Sequence, residues 1–176
     1  MIVLDGRLVA VGIEKHSDDV LAAQITKAEA ELRETGGRIA QIKDRDFKSM
    51  EDCVAAYARI EPLLQEYDES LQRYSELYDM AQQRDRSRGF FNVQRLYSRS
   101  SPGVWRNTSE VLALVRQINE TIKKEASVIR DMGSLPQGEQ VQFWHEEVLP
   151  LLAQEHALRE RLVVAGQKAS SNRTLQ

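Results

Sequence analysis

A single cysteine, Cys53, among 176 residues excludes an intrachain disulfide. Four prolines and nine glycines are too few for a collagen-like or low-complexity chain. Aromatic residues make up 6%, so the core must be filled mostly by aliphatic side chains. No apolar run approaches the ~18 residues of a membrane span. The opening Met1-Ile2-Val3-Leu4 has no basic stretch before it, and Asp5, Gly6 and Arg7 cut it short, which does not fit a secretory leader. Without secretion the Asn107-Thr108-Ser109 sequon has no use, and a cytoplasmic protein is expected. A large excess of one sign of charge is lacking too: 24 basic and 27 acidic residues leave a net charge of −3, which points to no class of partner.

What is present is helical periodicity. With 41% hydrophobic and 29% charged residues, the chain suits one globular domain large enough to bury a core. Met50, Cys53, Tyr57, Ile60, Leu64, Tyr67, Leu71, Tyr74, Tyr78 and Ala81 alternate in steps of three and four, a heptad seam. That predicts a coiled-coil-like rod of ~48 Å at about 1.5 Å per residue. Ser49 and Asp52 resemble a capping box at its start, and Pro62 should kink rather than break it. On this seam Cys53 reads as a small hydrophobe, since Glu51 and Asp52 beside it disfavour a thiolate.

Three further seams follow. Leu21, Ile25, Ala28, Leu32, Thr35, Ile39 and Ile42 mark a first helix from Ser17 or Asp18 to about Arg45, weakened or bent at Gly36-Gly37. Val111, Val115, Ile118, Ile122, Ile129 and Met132 mark a third from Thr108 or Ser109, with Gly133 as its C-terminal stop. Val141, Trp144, Val148, Leu151, Leu158 and Leu162 mark a fourth over 136–164, with Pro150 inside it. Residues 1–14 differ: Asp5-Gly6 between two short apolar runs suggests a β-hairpin or extended arm, or else an extra helical turn capping the bundle. The expected fold is therefore all-α: an antiparallel bundle of four long amphipathic helices over 15–166, with an N-terminal hairpin or arm at 1–14 and a polar tail at 167–176.

The second and third helices are joined by a long connection, 84–107. It carries Arg84, Arg86, Arg88, Arg95, Arg99 and Arg106 against one acid, Asp85, a net +5 in a chain of −3. Phe90, Phe91, Tyr97 and Trp105 are interleaved. Guanidinium forks hold phosphate or carboxylate and rings stack on unpaired bases, so this segment is the candidate for binding an acidic or phosphorylated partner, nucleic acid or an anionic membrane. Equally, the rings would plug the bundle end while the arginines pair with Glu66, Asp68, Glu69, Asp79 or Glu110; an isoelectric point near 5.7 lacks the broad basic face of a dedicated binder.

Two lesser features remain. Tyr57, Tyr67, Tyr74 and Tyr78 share the second seam, and their buried hydroxyls either reach the rim or line a groove for a ligand. Metal chemistry is not expected: the Glu-x-x-His of di-iron bundles fails, with Gln142 before His145 and Ala153 before His156. His156 and Glu160 lie one turn apart, and Glu125, which interrupts the third seam, would fall near His145. Gly-rich phosphate loops, nucleophile elbows and His-Glu-x-x-His are missing as well. The sequence thus points to a non-catalytic, cofactor-free scaffold or adaptor, self-associating and docking a protein partner. The alternatives are a phosphate-backbone binder, marked by steep salt dependence, and a small-molecule sensor with a Tyr-lined interior.

Overall fold

A computed structural model describes residues 2–87 and 109–171, with side chains over 18–84 and 110–168. Four helices follow one another: α1 (Ile2–Lys43), α2 (Met50–Ser87), α3 (Ser109–Gly133) and α4, which runs over 137–171. No strand occurs among the described residues. The backbone of residues 2–14 is drawn as the first turns of α1. Met1 and the side chains of residues 2–17 lie outside the described residues, and with them the hairpin or arm expected at 1–14.

Each helix packs on its neighbour in the chain: α1 on α2, α2 on α3, and α3 on α4. Polar rungs set the directions. Arg84 meets Asp18 at 3.2 Å, Arg73 meets Glu31 at 2.9 Å and Arg38 meets Glu66 at 3.6 Å, so α1 and α2 are antiparallel. On the next seam Arg130 bonds Glu61 at 2.8 Å, Lys123 and Asn119 bond Asp68, and Arg116 bonds Ser75. Rungs of this kind contribute little energy each when exposed; they mark register.

Burial distinguishes edge helices from central ones. Along α1 the whole expected stripe from Leu21 to Ile42 is buried, and only Glu29 joins it. The α2 seam is also buried, apart from half-buried Met50. However, Ala56, Leu63, Ser70 and Leu77, seven residues apart, form a second buried stripe on α2. Leu112, Asn119 and Ala126 do the same on α3. The seam of α2 is therefore wider than its heptad pattern suggests, because α2 and α3 are each sandwiched between two helices. One stripe on α1 and two on α2 and α3 are what a chain-ordered assembly requires.

The helix ends and breakers have local causes. Ser49 Oγ accepts the Asp52 amide at 3.1 Å, completing half of the capping box. Pro62 interrupts nothing, since the carbonyl it leaves unpaired, that of Ala58, belongs to an exposed residue. Gly133 does not end α3 through a left-handed backbone. It is needed because a Cβ there would sit 3.0 Å from Val54 Cγ1, while Ser134 and Leu135 tighten the turn with bonds to Asp131 and Met132 carbonyls at 3.0 Å.

Pro150 has a larger effect. A proline ring clashes with the carbonyl four residues earlier. Here the preceding turn, Trp144–Val148, opens into a π-helical turn in which the Leu149 amide bonds the Trp144 carbonyl. The extra residue rotates the start of α4 against the rest. Val141, expected in the stripe, is 56% exposed, and Leu151 is only half-buried. The inward line is instead Val148, Glu155, Leu158 and Ala165, with Leu152 and Leu162 packed beside it.

Gly36 and Gly37 sit inside an unbroken α1. A Cβ on Gly36 would lie 3.3 Å from Tyr67 Cε2, whereas one on Gly37 would meet nothing within 4 Å. Mid-helix glycine costs about 0.5–1 kcal/mol relative to alanine. Gly37→Ala should therefore raise the urea-unfolding free energy by about that amount, and Gly36→Ala should gain less or lose. Equal gains at the two positions would contradict the contact at Tyr67.

Candidate functional site

The α1–α2 turn, residues 44–49, leaves Lys43 at the last turn of α1, facing inward toward the other helices. Its Nζ lies 2.5 Å from Glu125 Oε2 on α3 and 3.1 Å from the Tyr57 hydroxyl on α2, and it bonds Glu155 Oε1 on α4. An ammonium has three N–H groups, and here each meets an acceptor from a different helix. Tyr57 in turn donates to Glu125 Oε2 at 3.0 Å. Arg159 Nε donates to Glu155 Oε2 at 2.8 Å. The ammonium also lies 5.3 Å from the Tyr57 ring centroid, and Phe47 packs on that ring at 6.4 Å. All four helices thus meet at one buried polar knot.

Its electrostatics follow from the partners. Glu155 has two cations, Lys43 and Arg159; although burial opposes ionisation, together they hold its carboxyl below the usual range. Glu125 is fully buried, and its Oε1 has no hydrogen-bond partner among the described residues. Burial above all, and then the Glu155 charge, push Glu125 upward against the pull of Lys43. Tyr57 is likewise raised, chiefly by burial and then by Glu125, and stays a phenol. Burial raises the Cys53 thiol to about 11, so the lone cysteine is no thiolate at neutral pH.

Two cavities flank the knot, and Arg159 lines both. A cleft of about 760 Å³ lies toward the α1–α2 turn, bordered by Phe47, Cys53, Tyr57, Trp144, Leu152 and His156 together with the knot. On the other side, about 360 Å³ open between α1 and α4, lined by Leu32, Gly36, Gly37 and Ile39, by Tyr67, by Val115, Ile118 and Ile122, and by Leu162. α1 and α4 do not pack closely along their length, so the bundle is pinned at Lys43 and opens beside it.

Of the expected site residues, Arg84 is described, and it pairs with Asp18, which was not among the acids expected for it. The backbone of Arg86 lies in α2. Arg88, Phe90, Phe91, Arg95, Tyr97, Arg99, Trp105 and Arg106 fall outside the described residues. Glu125 interrupts its seam as read, but its partners are Lys43 and Tyr57, whereas His145 is exposed. His156 and Glu160 form an exposed pair at 3.3 Å. Of the tyrosines, Tyr57 enters the knot and Tyr67 lines the α1/α4 cavity. Among the described residues no group of three His, Cys, Asp or Glu is placed to hold a metal ion, and no helix is long and apolar enough to cross a membrane. Glu155 was missed, although Val148, Glu155 and Leu162 are spaced by sevens, which places a charge on the heptad stripe.

Removing one partner of a buried ion pair costs about 3–5 kcal/mol, because the other charge stays buried alone. Lys43→Met should lose about that much in urea unfolding at pH 7. The triple change Lys43→Met, Glu125→Leu, Glu155→Leu should recover most of it; a neutral single substitution would mean the knot does not form. The pH dependence has a definite sign. A carboxyl raised when folded binds its proton more tightly in the native state, so stability falls as pH climbs from its ordinary 4.5 through the folded value. Glu125→Gln removes that fall, so the variant should gain on the wild type between pH 5 and 8. The opposite trend would show that Lys43 keeps Glu125 ionised. Compared with protein-family models, with curated proteins and with solved structures, the chain matches none.

Proposed function

We propose that this chain is a non-catalytic helical scaffold or adaptor that associates with a second copy of itself and docks a protein partner with an acidic or phosphorylated surface. The observation that supports this reading is the side between α1 and α4. There a cavity with an apolar lining opens where the other helix pairs are closed, and half-exposed Arg33 and Arg159 stand beside it. Val163 and Val164 are also exposed on α4, at 58% and 50%. Apolar contact would supply affinity, and the arginines would select for negative charge. The knot argues in the same direction: Lys43, the one deeply buried ammonium described, has all three donors committed and is no free nucleophile.

A second reading, a small-molecule sensor, is favoured by the α1/α4 cavity and by Tyr67, which lines it and is only 8% exposed. Phosphate-backbone binding remains a proposal for the connection, whose side chains beyond Arg84 lie outside those described.

Sedimentation equilibrium across a hundredfold concentration range tests self-association. The mass should rise from near 20.1 kDa toward twice that value, and Val163→Asp with Val164→Asp should hold it at the monomer. A mass fixed at that of one chain throughout would refute association with a second copy.

A further inference from the structure

The α1/α4 cavity combines a feature of ligand pockets with one that core packing would not leave. About 360 Å³ lies within the ~300–1,000 Å³ range of small-molecule sites, mostly apolar with few polar groups. Two of its polar groups are nearly inaccessible. Tyr67 is 8% exposed, and burial holds its hydroxyl proton firmly. Asn119 is 2% exposed, and its Nδ2 donates to Asp68. Both side chains line the cavity and can present a polar atom to what enters it.

The mouth has its own chemistry. Arg33 Nη2 bonds Glu29 Oε1 at 2.6 Å and Arg159 Nε bonds Glu155 Oε2 at 2.8 Å. Each guanidinium has five N–H groups, so each retains donors, and each is already offset by one carboxylate. The two pairs carry no net charge between them but keep spare cationic donors, which suits a single negative charge better than a dianion. Gly37 completes the picture, for a Cβ there would touch nothing within 4 Å, so packing does not demand a glycine at this point of the cavity wall.

We infer that this cavity binds a small amphipathic monocarboxylate, its apolar tail among Leu32, Val115, Ile122 and Leu162 and its head at Arg33 and Arg159, with Tyr67 as a further donor. The inference rests on the sensor reading and names its ligand class. Calorimetric titration of the full chain with octanoate and with 1-octanol, which share a tail and differ in the head, tests it. Octanoate should bind about tenfold or more tightly than the alcohol, as charge-assisted pairing to two arginines requires. Arg33→Gln should bring octanoate toward the alcohol's affinity while leaving the alcohol unchanged. Gly37→Leu should abolish both, and its melting temperature should not fall, since leucine favours the helix. Equal affinities for acid and alcohol, both lost in Gly37→Leu, would overturn the carboxylate class and leave the sensor reading standing. Absence of binding by either, or binding untouched by Gly37→Leu, would overturn the ligand site and the sensor reading together.

Discussion

The ammonium of Lys43 is the constraint on which the assembly of these helices depends. Apolar seams bring helices together but tolerate sliding by a heptad, because one Leu or Ile layer resembles the next. A buried cation does not tolerate it. Moving α3 or α4 by one turn, about 5.4 Å, would take Glu125 or Glu155 out of reach and leave an ion unpaired. Tyr57 on α2, Glu125 on α3 and Glu155 on α4 each bond the same nitrogen on α1, so one atom fixes the register of three helices against the fourth. Such a cluster need not add net stability over an apolar core; what it removes is the freedom to pair otherwise.

That position also explains why the bundle is uneven. At Lys43 the edge helices α1 and α4 are linked by an ion pair; away from it, nothing of comparable strength is described between them. α2 and α3 bury two stripes each and form the interior, whereas α1 buries one. The two glycines of α1 both fall about two turns before Lys43, at the opening. Gly36 has a packing reason, since it lets the Tyr67 ring lie against the α1 backbone. Gly37 has none of that kind, so the helix carries the propensity cost of a second glycine without a contact to offset it.

How much of this could be read from the chain depends on which physical signal each feature leaves. The helices were legible because a three-four alternation from Leu21 to Ile42, or from Cys53 to Ala81, leaves few alternatives to an amphipathic helix. Glu125 was visible as a charge on an apolar seam. Glu155 carries the same signal, but it was obscured by Leu151 and Leu152, which offer a plausible stripe of their own until the π-turn before Pro150 shifts the phase. Lys43 left almost no trace. A lysine in the last turn of a helix is the ordinary complement to the helix dipole, and nothing local distinguishes that role from burial between two carboxylates. Knots made by residues 82 and 112 positions apart are tertiary facts, and one sequence carries no record of which helices face each other.

Arg159 connects the two halves of this picture. It is one of the two cations that keep Glu155 ionised, and it also stands at the mouth of the α1/α4 cavity. A negative head group drawn to that mouth competes with Glu155 for the guanidinium. Any share of Arg159 given to the ligand leaves Lys43 as the principal counter-charge of Glu155, which weakens its hold on Glu125 and favours the protonated form of that buried acid. If the cavity takes such a head group, its occupancy and the protonation of the knot are linked, and by reciprocity the proton state of Glu125 would alter the affinity of the cavity. The coupling requires no movement of the helices, only a redistribution of one arginine's hydrogen bonds between two carboxylates at the place where all four helices meet.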